Sequence, residues 1–118
     1  MRCVIVDDNS LFLVSAADLL RREGLDVVGV ASSSAEAIRL VTELRPDVTL
    51  VDIDLGDEDG FELAQQLHAI SGGPKVILVS THAEEDLAHL IEGSHALGFI
   101  AKARLSAQAI RDTLERAA

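Results

Sequence analysis

Five short apolar runs, spaced along the whole chain, constrain its fold more than any other feature of the sequence. They are rich in valine and isoleucine and comprise residues 3–6 (CVIV), 27–30 (VVGV), 48–51 (VTLV), 76–79 (VILV) and 99–101 (FIA). Most are continuous rather than alternating, which is typical of strands buried on both faces of a parallel sheet. The pattern therefore predicts five strands that other elements cover on both sides.

Helix-like segments follow each of these runs. They comprise residues 10–23, 33–44, 60–69, 84–92 and 106–116. The second begins with the capping box 33-SSAE-36, and Arg45-Pro46 ends it. Because strand and helix alternate five times, we predict a doubly wound α/β fold with a five-stranded parallel sheet and five helices. The flavodoxin-like order 2-1-3-4-5 is the hypothesis adopted for this sheet.

Length and charge bound the classes of function. The 118 residues are predicted to form a single domain, 1–118, and the formal charge of −10 disfavours nucleic acid and anionic membrane as partners. Metal cations and basic protein surfaces are the natural counterparts. The lone Cys3 cannot form an internal disulfide, which favours a buried thiol and a cytoplasmic protein. A complete protein and a piece of a longer one both remain open.

Polar residues follow four of the five predicted strands. Asp7 and Asp8 follow the first, Asp52 the third, Ser80 the fourth and Lys102 the fifth. In the order 2-1-3-4-5 these strands are neighbours, and sites in open parallel sheets form beyond the carboxyl ends of the strands. We therefore expect these side chains to converge at one edge of the sheet.

The expected cluster has the chemistry of a phosphoryl site. Three close carboxylates repel one another unless a cation lies among them, and Mg²⁺ binds one or two carboxylates together with water and phosphate. Lys102 would add a fixed positive charge and Ser80 a hydroxyl donor. Asp52, the central acid, is then the candidate nucleophile for phosphoryl transfer. The further acids Asp57, Glu58 and Asp59 are predicted to form a solvated loop and helix cap instead.

Four motifs resemble the receiver domain of bacterial two-component response regulators. They are 4-VIVDDN-9, 51-VDIDLGDEDG-60, 76-VILVS-80 and 98-GFIAK-102. Each is weak alone, but their order and spacing are specific, and the resemblance covers the whole chain. Within that family the sequence is similar to the LuxR/NarL-type branch.

The resemblance implies roles for the acidic residues. Asp52 aligns with the phosphoacceptor, and Asp7 and Asp8 align with the acidic pair that holds Mg²⁺ or Mn²⁺. Asp54 stands where a backbone carbonyl completes the metal shell.

It also implies roles for three residues of the response. Ser80 matches the switch hydroxyl, Lys102 the lysine that pairs with the phosphoryl group, and Phe99 the aromatic switch residue. The family signals through the surface of the fourth helix, fifth strand and fifth helix. Leu87, Leu90 and Ile91 of the fourth helix are predicted to be core contacts.

The family likeness further implies the partners. A sensor histidine kinase would donate the phosphoryl group, and the domain would catalyse only its own phosphotransfer and autodephosphorylation, so it is not expected to be an enzyme. A C-terminal DNA-binding output domain, absent from this chain, or a partner protein would carry the output, such as transcription. A homodimer is left open, and neither direct nucleic-acid binding nor membrane binding by this domain is expected.

The sequence departs from the family pattern at several positions. Gly56 replaces a common Pro, which predicts a looser loop, and Thr81 is larger than the usual neighbour of the switch residue. His95 stands where a helix-ending Gly is usual, and a left-handed backbone there would cost His more. Asp54 and His82 hold the two variable positions that tune phosphoryl lifetime in the family.

Two alternative functions remain. The sequence Asp52-Ile53-Asp54 is similar to the Asp-x-Asp motif of haloacid-dehalogenase-like phosphatases, although those enzymes carry it on their first strand in a larger chain. A pseudo-receiver would keep the fold and signal without phosphate. Such domains commonly lose the acidic pair, the acceptor or the lysine, all of which are present here.

Overall fold

The computed structural model describes residues 1–70, 72–82 and 86–117, and alternates strands with helices along this length. The five main strands are β1 (Arg2–Val6), β2 (Asp26–Ala31), β3 (Val48–Asp52), β4 (Lys75–Ser80) and β5 (Gly98–Ala101). The helices are α1 (Ser10–Arg22), α2 (Ser34–Leu44), α3 (Gly60–His68), α4 (Ala88–Gly93) and α5 (Ala107–Ala117). Among these described helices, none combines the length and apolar character that a membrane span requires.

The sheet confirms the predicted topology. Its strands are all parallel and lie in the order β2-β1-β3-β4-β5. Val6 of β1 lies opposite Val51, and Asp52 lies opposite Val79 of β4. This register brings the carboxyl ends of neighbouring strands to one edge, where the polar residues follow.

Both faces of the sheet are buried, which explains the continuous apolar runs. Cys3 and Ile5 of β1 face the layer of α1 and α5, whereas Val4 and Val6 face the layer of α2 and α3. Burying a valine or isoleucine side chain stabilises a fold by roughly 1.5–3 kcal/mol, so each residue of such a strand contributes regardless of the face it occupies. Burial raises the pKa of the Cys3 thiol to about 12, and the predicted packed thiol is confirmed.

Side-chain caps begin four of the described helices, α1, α2, α3 and α5. Asn9 Oδ1 accepts hydrogen bonds from the backbone N–H groups of Leu11 and Phe12 at the start of α1. Ser33 accepts from Glu36 N–H as predicted, but the Glu36 carboxylate reaches back to Ser32 N–H, one residue before the cap. Each cap satisfies a donor that the first helical turn leaves unpaired.

The fourth helix differs most from its prediction. Residues 84 and 85 of the predicted range 84–92 lie outside the described residues, and α4 is a short helix with no buried residue and no side-chain cap. Leu87 and Ile91 pack partly against the core, but Leu90 is 53% exposed, so its prediction as a core contact is wrong. A helix of six residues covers little of the sheet, which leaves Leu90 in solvent.

Between α4 and β5 the backbone confirms one expectation of strain. His95 has a φ of 64°, in the left-handed region that favours glycine. Its ring stacks on that of His68 at the end of α3, with the ring centroids 4.8 Å apart and the planes at 7°. The stack ties this connection to α3.

Candidate functional site

The four predicted strand ends carry the residues of the site. Asp52 is the last residue of β3 and Ser80 the last of β4, while Asp7 and Lys102 directly follow β1 and β5. Asp7 N–H donates to the carbonyl of Ala31 at 3.0 Å, which extends the pairing of β1 with β2 into the site. The sheet register thus positions the backbone of each functional residue.

Asp52 lies between two fixed donors. It is only 6% exposed, its Oδ1 accepts the backbone N–H of Asp54 at 3.2 Å, and its Oδ2 lies 3.3 Å from Lys102 Nζ. The same ammonium lies 2.7 Å from Asp7 Oδ2 and is the one polar partner of that oxygen among the described residues. Lys102 therefore joins the two carboxylates, and one positive charge faces two negative ones.

The acidic group suits a hard divalent cation. Asp7, Asp8 and Asp52 can each direct one carboxylate oxygen so that the three atoms lie within 4.8 Å of one another. Asp7 is buried, with Oδ1 held by Asn9 N–H at 2.8 Å, whereas Asp8 is exposed. Carboxylate oxygens at this spacing fit the preferences of Mg²⁺ and Mn²⁺, and Lys102 leaves part of the negative charge unbalanced.

Burial and charge change the acidity of the site. Burial, and the neighbouring carboxylate of Asp7, raise the pKa of Asp52 to about 6 from 3.8, although the Asp54 N–H and Lys102 oppose the change. Burial by itself lowers the pKa of Lys102, but its contacts with Asp7 and Asp52 outweigh this effect and the net shift is upward. Lys102 is thus charged at neutral pH, and Asp52 is a carboxylate of raised basicity.

Phe12 is a site residue that the sequence reasoning missed. Lys102 Nζ lies 4.2 Å from the centroid of the Phe12 ring, within the range of a cation–π interaction. Phe12 lies in the first turn of α1, directly after the Asn9 cap, and packs against the core under α1. Residue type gave no signal for this contact, because Lys102 is about ninety residues away in sequence and is brought close by the sheet order.

Two glycines shape the backbone beside the acids. A methyl group at Gly60 would collide with the Asp52 carbonyl oxygen and lie 2.6 Å from Ile53 Cα, so the start of α3 packs directly on the site strand. Gly56 has a φ of 68°, between residues 54–55 and 58–59, which pair as two-residue antiparallel strands. A methyl group there would lie 3.2 Å from Asp8 Oδ2. The predicted looseness of this loop remains a prediction.

Not every predicted residue joins the cluster. Asp54 contributes its N–H to Asp52, but its side chain is exposed, and the metal role of its carbonyl remains a prediction. Phe99 is half-buried and, like Leu87 and Ile91, packs against the core, and its switch role remains a prediction. The acids at 57–59 stay outside the cluster as predicted, and Asp59 caps α3 through Phe61 N–H.

Ser80 is buried, but its hydroxyl is engaged by its own chain. Ser80 Oγ accepts the backbone N–H of His82 at 2.9 Å and lies 3.2 Å from His82 Nδ1. No hydrogen bond joins Ser80 to Asp52 or Lys102 in the described part of the chain. The Ser80 hydroxyl was predicted to face Asp52, but His82 holds it instead.

Comparison with known sequences supports one family. The chain is 29% identical over 118 residues to the transcriptional regulatory protein LiaR of Bacillus subtilis, covering 99% of this chain and 56% of the relative. It is 28% identical over 101 residues to the transcriptional regulatory protein PdtaR of Mycobacterium tuberculosis, covering 86% and 49%. The chain thus spans about half the length of these curated relatives.

Two solved structures with the same fold are receiver domains. The signal receiver domain of the response regulator NarL from Mycobacterium tuberculosis superposes with a TM-score of 0.84 at 29% identity, covering 98% of this chain and 94% of that one. A CheY-like receiver domain from Methanospirillum hungatei gives 0.82 at 27% identity, covering 98% and 92%. Residues 3–115 match the family described as the response regulator receiver domain, and the chain belongs to that family.

Proposed function

We propose that Asp52 accepts a phosphoryl group and that the domain works as a phosphorylation-dependent switch in two-component signalling. One observation carries this proposal: a buried carboxylate of raised pKa lies at a strand end, 3.3 Å from Lys102 Nζ and beside Asp7 and Asp8. A carboxylate of raised basicity is a better nucleophile, and Lys102 can neutralise charge on the incoming group. The phosphatase alternative carries its Asp-x-Asp motif on the first strand, whereas Asp52 ends the third strand of this sheet.

The proposed step is an in-line transfer. A carboxylate oxygen of Asp52 forms a bond to phosphorus while the P–N bond of a donor phosphohistidine breaks, and the donor imidazole leaves with the bonding pair. Asp7 and Asp8, with Asp52, would hold Mg²⁺ or Mn²⁺, which supplies neutralisation of the phosphoryl charge. Lys102 would then pair with the phosphoryl oxygens instead of the free carboxylate, and the burial of Asp52 limits the access of water.

The response is a population shift. Ser80 would turn its hydroxyl to a phosphoryl oxygen, and Phe99 would repack beside α4, whose weak anchoring leaves it free to move. Phosphorylation can shift this equilibrium only if it favours one conformer by contacts that the other lacks. Lys102 and Ser80 provide those contacts in the proposal, and the surface of α4, β5 and α5 carries the change to a partner.

The partners follow from the family and from the relatives. We infer that a sensor histidine kinase is the donor, and that a C-terminal DNA-binding domain or partner protein outside the 118 residues carries the output, because the two relatives are transcriptional regulatory proteins of about twice the length. The buried thiol of Cys3 fits a reducing compartment such as the cytoplasm. The domain would then turn over no substrate except its own acyl phosphate.

Intact mass after incubation with acetyl phosphate and Mg²⁺ tests the proposal. We expect a single phosphoryl adduct on the wild-type chain, no adduct on Asp52→Ala, and none when a chelator replaces the metal. Asp57→Ala is the matched control, because Asp57 is an exposed acid of the same loop outside the cluster. Its adduct should equal that of the wild type.

Other outcomes would favour the alternatives. Multiple turnover of a small phosphoester without a stable adduct would favour a phosphatase. If neither acetyl phosphate nor beryllium fluoride, a stable phosphoryl mimic, changed the mass or the NMR spectrum of the folded chain, a phosphate-independent receiver would replace the proposal.

A further inference from the structure

The hydroxyl of Ser80 has one proton to donate, and among the described residues His82 Nδ1 is the side-chain acceptor beside it. One lone pair of Oγ already accepts His82 N–H at 2.9 Å, and His82 Nδ1 lies 3.2 Å away. A neutral imidazole that carries its proton on Nε2 presents Nδ1 as an acceptor. Ser80 Oγ then donates to His82 Nδ1 and accepts from His82 N–H, so two hydrogen bonds join the two residues.

The same proton is required by the switched state. In the proposed function the Ser80 O–H donates to a phosphoryl oxygen on Asp52, and a single O–H cannot make two full hydrogen bonds at once. Ser80 makes no hydrogen bond to Asp52, Asp7 or Lys102 within the described ranges. The bond to His82 must therefore be broken when the hydroxyl turns to the phosphoryl group.

We propose that His82 is a positioning residue: its Nδ1 holds the Ser80 hydroxyl in the resting orientation and competes with the phosphoryl group for the hydroxyl proton. This inference rests on the phosphoacceptor function proposed for Asp52. It assigns to His82 an effect on the resting equilibrium, which is distinct from an effect on the lifetime of the acyl phosphate. His82 is itself exposed, so its ring can be released into solvent when Ser80 turns.

The size of the effect follows from the strength of one hydrogen bond. An ordinary intramolecular hydrogen bond changes an equilibrium constant by about two- to tenfold. Removing the Nδ1 acceptor should therefore raise the affinity for beryllium fluoride, measured with Mg²⁺, by about two- to tenfold. The backbone bond from His82 N–H remains in every variant of this position.

Three substitutions separate the acceptor from the bulk of the ring. His82→Ala removes the acceptor, and His82→Gln moves it to the place of Nε2, so both should bind beryllium fluoride more tightly than the wild type. His82→Asn keeps an oxygen near the place of Nδ1 and should bind like the wild type. His89→Ala is the control for an exposed histidine on α4 that has no hydrogen bond to Ser80 in the described part of the chain.

A double-mutant cycle then asks whether His82 acts through the hydroxyl. In a Ser80→Ala background, His82→Ala should leave the affinity for beryllium fluoride unchanged, whereas a general loosening of the loop would still alter it. An equal effect in both backgrounds, or His82→Ala affinity equal to that of the wild type, would overturn the inference and leave the function of Asp52 intact.

Ring nitrogen NMR of the metal-free protein provides a test that needs no phosphoryl chemistry. We expect the His82 proton on Nε2 and a change in the Nδ1 shift in Ser80→Ala. A proton on Nδ1 instead would overturn the inference even if beryllium fluoride binds. Failure of the wild type to bind beryllium fluoride would overturn the proposed function, and the inference with it.

Discussion

The acid cluster and the segment of residues 86–99 are anchored in different ways. Asp7 and Asp52 are buried, and one lysine joins them. In the other region α4 buries none of its residues, Leu90 is exposed and His95 adopts a left-handed backbone. One region holds charge in a fixed place, whereas α4 in the other region is anchored only through partly buried residues such as Ile91.

The difference is what a switch requires. A nucleophile and its counter-charge must be positioned before the reaction, because their alignment is part of the catalysis. The responding segment must instead have two arrangements of similar free energy, which a densely packed helix would not allow. Substitutions in the two regions should therefore have effects of different size and even of opposite sign.

The largest contrast is expected from the same substitution at two glycines. Gly60→Ala places a methyl group against the backbone of Asp52 and Ile53, so it should lower the free energy of unfolding by about 3 kcal/mol or more. Gly93→Ala, at the end of α4, meets nothing within 4 Å and should raise it by about 0.5–1 kcal/mol. Urea unfolding measures both.

Equal changes in the free energy of unfolding in Gly60→Ala and Gly93→Ala would contradict the difference in packing between the two regions. A loss of stability in Gly93→Ala would show that α4 is packed as closely as the start of α3.

The next effect concerns the charge on Asp52. Its folded pKa of about 6 lies above the unfolded value of 3.8, so the folded protein binds the proton more tightly. Proton binding by Asp52 therefore adds to the free energy of unfolding at low pH, and this contribution is lost as pH rises from about 4 through about 6. Asp52→Asn, which stays neutral, should be more stable than the wild type at pH 7 by up to roughly 3 kcal/mol.

Thermal unfolding in chelator from pH 4 to pH 8 checks this sign. The advantage of Asp52→Asn should shrink towards pH 4, and Asp54→Asn, whose side chain is exposed, should follow the wild type. An advantage that does not change with pH would mean that the charge of Asp52 costs nothing.

The smallest effect is expected at His95. Replacing it with glycine relieves the left-handed backbone but removes the stack on His68, so His95→Gly should raise the free energy of unfolding by roughly 0.5–1 kcal/mol. His95→Ala keeps the strain, loses the stack and should be less stable than the wild type. His68→Ala removes the stack but leaves the backbone of His95 unchanged, so its decrease in the free energy of unfolding measures the contribution of the stack. Chemical denaturation of the three variants is the measurement.

The fold was predictable because both of its signals are local. The continuous runs of valine and isoleucine have the pattern of strands buried on two faces, and the capping residues at Ser33 and Asp59 mark helix starts. Convergence of Asp7, Asp52 and Lys102 followed from strand order alone, since parallel strands bring their carboxyl ends together. The start of α4 was not predictable, because no side chain caps it.

The sequence by itself determined the strand and helix pattern and, once the strand order was assumed, the identity of the acid cluster. Only the tertiary structure placed Phe12 under Lys102, stacked His95 on His68 and turned the Ser80 hydroxyl towards His82. The physical reason is that the first group of features depends on local sequence, whereas the second depends on long-range packing and on side-chain direction. Burial and capping depend on residue type and spacing, whereas the partner of a ring or a hydroxyl depends on side-chain orientation in a packed fold, which residue type leaves open.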